Sequence, residues 1–182
     1  MKRSLLLAAL LASSVSVAQA QGYVGASAGQ TELKEDCTGG VICDYKDTGF
    51  KVFGGWMFMP YFGVEAAYVD LGKATESVPG ISAQIESSGF GLWAKAALPI
   101  ENFALFAKAG FAYLDTKVSG SVSGIGSASV SESNGNPAWG VGAAFNFTKN
   151  FGVLVEYERF RVEFQGDKSD VDMMSAGLVY RF

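Results

Sequence analysis

From Gly22 onward, apolar side chains alternate with small or charged ones at a period of two, the repeat of an extended strand with two different faces. Segment 138–147 carries the pattern most plainly. Trp139, Val141, Ala143, Phe145 and Phe147 share one face, and Ala138, Gly140, Gly142, Ala144 and Asn146 share the other. Segment 151–157 repeats it, with Phe151, Val153, Val155 and Tyr157 set against Gly152, Leu154 and Glu156. Eight such segments are expected, at residues 22–34, 47–58, 61–72, 84–98, 103–115, 135–147, 151–164 and 170–182.

The connections alternate in length. Tight turns are expected at 59–60, 99–102 and 148–150, and longer links at 35–46, 73–83, 116–134 and 165–169. Short turns at one end and long loops at the other, with an even strand count, are the pattern of a barrel inserted into an outer membrane. The predicted fold is all-β: an eight-stranded antiparallel up-and-down transmembrane β-barrel. The Ser/Gly-rich stretch 116–134 is the one low-complexity region, and its Val118, Val122 and Val130 suit an extension of the flanking hairpin beyond the membrane.

The two faces assign the sides. Aromatic residues crowd the strand ends nearest the short turns (Trp56, Phe58, Phe62, Phe103, Phe145, Phe147, Phe151, Tyr180 and Phe182), as in an interfacial girdle. Tyr68, Phe111, Tyr113, Trp139 and Tyr157 are candidates for the outer girdle. The opposite face carries Lys51, Glu65, Lys95, Lys108, Glu156, Glu158 and Arg181. Ionised groups on acyl chains cost several kcal/mol, so these seven belong in the lumen, where four bases and three acids largely offset one another. The same face holds Gly63, Ala67, Gly91, Gly110, Gly140, Gly142, Ala144 and Gly177, which leave room for water-filled cavities, and Trp93, Phe106 and Leu154, which obstruct passage.

The chain ends refine the picture. Lys2 and Arg3, an apolar run over 5–12, and Ala18 and Ala20 around Gln19 form a signal peptide expected to be cleaved after residue 20. Of 182 residues, 162 then remain as one barrel domain, 21–182. Loss of Lys2 and Arg3 leaves 12 basic against 18 acidic residues, so nucleic acid is not an expected partner. The last strand, with Leu178, Tyr180 and Phe182 at alternate positions, fits the signal by which assembly machinery recognises bacterial barrels; Tyr180 and Phe182 are its expected readout residues. Periplasmic chaperones are the expected partners before insertion.

Cys37 and Cys43 flank a five-residue link, and in an oxidising periplasm a disulfide is the expected state. Arg159 and Arg161 continue the lipid-facing parity of Val153, Val155 and Tyr157 past the bilayer edge. Their guanidinium groups suit phosphates of lipopolysaccharide, alongside contact with outer-membrane lipids. There is no histidine, so the imidazole bases of membrane-embedded hydrolases are missing. No enzyme activity, cofactor or metal is expected.

FGGWMFMPYFGVEAAYVDLG at 53–72 resembles the second hairpin of the outer-membrane protein A-like transmembrane β-barrel family. AKAALPI at 94–100, KAG at 108–110, VEY at 155–157 and SAGLVYRF at 175–182 follow in that family's order. The resemblance implies a barrel filled with polar side chains, with Glu65, Lys95, Lys108 and Glu156 at positions of interior charge. It also implies a departure: Ala144 and Leu154 stand where the family places a salt-bridge gate. The cell-wall-binding domain that follows the barrel in full-length members is not expected after Phe182. The expected role is structural or adhesin-like, through extracellular loops that touch outside ligands. The alternative is a narrow low-conductance channel for small solutes or ions.

Overall fold

The computed structural model describes residues 21–37, 41–78, 81–122, 126–164 and 167–182. The signal-peptide expectation lies outside them. The strands are β1 (Gln21–Cys37), β2 (Val41–Met57), β3 (Phe62–Val78), β4 (Ile81–Ile100), β5 (Phe103–Val122), β6 (Gly126–Asn146), β7 (Phe151–Phe164) and β8 (Asp167–Arg181). Each pairs antiparallel with its neighbour in sequence, and β8 pairs with β1 to close the barrel. Closure leaves no strand edge unpaired in the lower cylinder, whereas the β2–β3 ladder ends at Phe50↔Asp70 and the β6–β7 ladder at Ala138↔Phe160.

The strands run longer than the apolar pattern indicates. β5 and β6 remain in register from Phe103↔Phe145 out to Val122↔Gly126, so the Ser/Gly-rich stretch is mostly hairpin. Ladder bonds use the backbone, and a polar strand pairs as well as an apolar one once its partner is adjacent. The turn expected over 99–102 is also shorter: Pro99 and Ile100 pair with Ala104 and Phe103, leaving Glu101 and Asn102. Glu101 takes a positive φ of 54° to make that tight reversal.

The alternation of faces holds around the cylinder. Val64, Leu92, Phe111, Val141, Val155 and Leu178 are each more than two-fifths exposed on the outside. At the long-hairpin end the polarity inverts. Outside stand Asp70, Asp115, Arg159 and Arg161, while Val69, Leu71, Leu114, Phe160, Val171 and Met173 are buried inside. The lower cylinder is apolar outside; the upper part is polar outside around an apolar core. The physical cause is the medium that each level meets.

Candidate functional site

Among the described residues, the lumen holds an ion cluster built on five different strands. Lys51 (β2) makes an ion pair with Glu156 and another, at 2.6 Å, with Glu158 (both β7), and lies 4.0 Å from Glu65 (β3). Lys108 (β5) reaches Glu65 at 2.8 Å, Glu156 at 2.9 Å and Glu158 at 2.6 Å. Lys95 (β4) pairs with Glu65 at 2.7 Å and also donates to the Tyr23 hydroxyl oxygen at 3.1 Å. Three ammonium groups meet three carboxylates, so the cluster is neutral. Lys51 and Lys108 have no side-chain exposure, which a dry interior tolerates only for charges paired this closely.

Glycines place these partners. Tyr23 on β1 donates its hydroxyl to Glu65 on β3 at 2.8 Å, across β2. The residue between them in register is Gly55, and a Cβ there would lie 2.2 Å from the Tyr23 ring. On β6, Gly140 stands in register between Lys108 and Glu158 and would place a Cβ 2.8 Å from Glu158. Gly142 stands likewise between Phe106 and Glu156, and its Cβ would lie 2.5 Å from the Phe106 ring. Gly91 leaves room for Trp93, whose ring would be 2.0 Å from an added Cβ. The sequence leaves room for water-filled cavities at small lumen residues, but at Gly91, Gly140 and Gly142 neighbouring rings and charged side chains occupy the space instead.

Aromatic faces cap the cluster. Lys51 lies 5.1 Å from the Phe53 ring centroid, Lys95 lies 4.6 Å from Tyr23 and 4.3 Å from Phe106, and Lys108 lies 4.9 Å from Trp93. Trp93 meets Phe160 edge to face at 6.3 Å, and Phe160, Met173 and Val69 are fully buried beyond it. Sequence reasoning named Trp93 as an obstruction but missed the apolar layer of Phe160, Met173 and Val69 beyond it. Its signal was the exchange of polarity between the faces at 158–162, where the outward positions become Arg159 and Arg161 and the inward ones Phe160 and Val162. Ala144 and Leu154, the gate positions of the resembling family, face each other in register and are both 5% exposed, an apolar pair.

The remaining candidates lie elsewhere. Arg159 forms a two-pronged ion pair with Asp172 on β8, at 2.6 and 2.8 Å, with its charge 5.8 Å from the Trp139 ring. Arg161 donates from Nε to Asp170 at 3.2 Å. Both arginines thus have carboxylate partners across the β7–β8 ladder, a pairing that the parity argument did not supply. Phe182 donates its backbone N–H to the Gly22 carbonyl at 3.0 Å, and Tyr180 stacks obliquely on Phe151 at 4.9 Å, so both stand beside the seam. Register places Cys37 opposite Val41 and Cys43 opposite Glu35. Their side chains, and with them the disulfide expectation, lie outside the described residues. Where β3 leaves the bilayer level, Gly72 adopts a φ of 84° beside a bulge, and Lys73 pairs with Glu86 at 2.7 Å. The Lys73 ammonium is held above its ordinary pKa by that hydrogen bond to Glu86.

A closed, eight-stranded cylinder with an apolar belt and a charged lumen has known counterparts. The model of the outer membrane protein beta-barrel domain matches residues 4–182. The chain belongs to this family. It is therefore a small barrel of the bacterial outer membrane, with short turns toward the periplasm and long hairpins outward. An uncharacterized protein of Coxiella burnetii is 29% identical over 174 residues, covering 75% of this chain and 70% of that protein. Among solved structures, the attachment invasion locus protein Ail of Yersinia pestis, in complex with the heparin analogue sucrose octasulfate, is 24% identical with a TM-score of 0.65. Neisserial surface protein A is 14% identical with a TM-score of 0.67. Both alignments cover 91% of this chain and 100% of the other. At these identities the likeness is one of fold.

Proposed function

We propose that this outer-membrane barrel is a rigid scaffold that presents its long hairpins to partners outside the cell, in an adhesin-like role. The observation that carries this reading is the closed lumen: a neutral ion cluster backed by Trp93, Phe160, Met173 and Val69. Such a lumen stiffens the cylinder and opposes conduction of solutes or ions. The inverted polarity above the bilayer supports the same reading, because it gives the outer hairpins a core of their own. The heparin analogue bound by Ail makes sulfated polysaccharides a class worth testing here, although this chain is net acidic. The test pairs two measurements. Bacteria displaying the chain should bind animal-cell monolayers or immobilised heparin, and should lose that binding when 119–130 is replaced by a short turn. Purified protein in planar bilayers should stay electrically silent. Steady unitary conductance, with binding unaffected by the trimmed hairpin, would turn the assignment to the channel.

The accompanying proposals concern biogenesis and the rim. Residues 1–20 act as the cleaved export signal. Tyr180 and Phe182 engage the assembly machinery after periplasmic chaperones deliver the chain. Cys37 and Cys43, offset by two residues in the β1–β2 register, form a disulfide. Arg161, whose side chain is 47% exposed, offers its guanidinium to lipopolysaccharide phosphates more readily than Arg159, whose fork Asp172 occupies.

A further inference from the structure

The sequence assigned seven charged side chains to the lumen at the level of the apolar belt, and six of them cancel in the ion cluster. The seventh is Arg181. Its guanidinium makes no ion pair or side-chain hydrogen bond among the described residues, although it is turned inward beside Tyr23 in the β1–β8 register. It stands at the mouth of a vestibule of about 800 Å³ that opens toward the periplasm. Tyr23, Phe53, Ala97, Phe106, Leu154 and Val179 wall this space, so it is mainly apolar. Phe53, Phe106 and Leu154 are each under a tenth exposed and, with Lys95 lying against the Phe106 ring, they close its inner end below the ion cluster. The other charges on its lining are Lys95, already paired with Glu65, and Glu101 and Lys149 at the exposed turns.

We propose that this blind vestibule is a binding site for an amphipathic anion, an alkyl tail with a single carboxylate or phosphate head. The tail replaces water against the aromatic and aliphatic walls, and the head takes the uncompensated Arg181. A guanidinium presents paired donors that match either head group, and a half-enclosed cation gains more from such a partner than a solvated one does. The volume falls in the range of small-molecule pockets. Because the inner end is shut, the vestibule retains a ligand and does not pass it on. This site is independent of the surface role proposed above.

The test uses the full mature chain in phosphatidylcholine nanodiscs, with methyl resonances followed by NMR. Octanoate and octyl phosphate should shift Met57 and Ala97 saturably while leaving lipid-facing Ala66 and Ala94 in place. R181Q should weaken both ligands at least ten-fold, and A97L, which fills the wall and keeps the charge, should weaken them comparably. Heat-modifiable migration on gels establishes that each variant is folded. If phosphatidylglycerol in the disc alone shifts the same methyls and competes with octanoate, the natural source is a membrane lipid. If it does not, the source is a free amphiphile, and the site stands in both cases. Equal binding by R181Q, equal affinity for uncharged octanol, or non-saturating shifts spread over Ala66 and Ala94 would overturn the proposal.

Discussion

Tyr23 reaches Glu65 across an intervening strand, its hydroxyl 2.8 Å from the carboxylate, because Gly55 leaves the path between them open. The contact ties the first strand after the expected cleavage site to the central ion cluster. G55A would set a methyl 2.2 Å from the Tyr23 ring and force that ring off Glu65. The expected cost is about 1–3 kcal/mol of barrel stability. Y23F, which removes the hydroxyl but keeps the ring, should cost about 1–2 kcal/mol. Urea unfolding in lipid vesicles checks both, and a G55A barrel as stable as the parent would refute the packing argument.

Glu65 is the only carboxylate that meets all three lysines of the cluster. E65Q leaves three cations facing two anions in a buried space and should destabilise by about 3–5 kcal/mol. Removing Lys108 as well, in E65Q/K108M, should restore part of that loss. A double-mutant cycle measures the coupling, and simple additivity would mean that the two side chains do not interact in the folded barrel.

Val141 and Ala144 are three residues apart on β6 and face opposite media. Val141 is 46% exposed on the lipid side, whereas Ala144 borders the periplasmic vestibule. V141K should cost about 2–4 kcal/mol and impair insertion, and V155K on β7 should behave alike. A144K should be milder, because its ammonium can reach water through the vestibule. Insertion yield into vesicles reads the difference; equal tolerance at both faces would argue against the membrane belt.

The Cys37–Cys43 proposal has a direct readout. Unreduced protein from outer membranes should resist alkylation at both positions and show a mass two protons lower than the free thiols. The closed loop is short, so C37S/C43S should change barrel stability by no more than about 2 kcal/mol. Alkylation of both thiols before reduction would remove the disulfide.

Parity was legible in the sequence because a strand's two faces follow from neighbouring residues alone. Trp139, Val141 and Phe145 declare the lipid side of β6 without knowledge of any other strand. The number and order of the strands follow from the same local pattern, and the turn expected over 99–102 exceeds the observed one because Pro99, a turn residue by its chemistry, stands in the ladder opposite Ala104. The charged lumen residues were legible too, since a lysine on a lipid face is too costly to place otherwise. Which charge meets which was decided by tertiary structure. Lys51 and Glu158 are 107 residues apart, and their pairing depends on the stagger at which β8 closes on β1. The roles of Gly55, Gly140 and Gly142 depend on the same register, because an absent side chain has meaning only once both flanking strands are in place. Arg181 was one of seven interior charges on paper. Only the closed cylinder, by pairing the other six, leaves it alone at the mouth of a pocket.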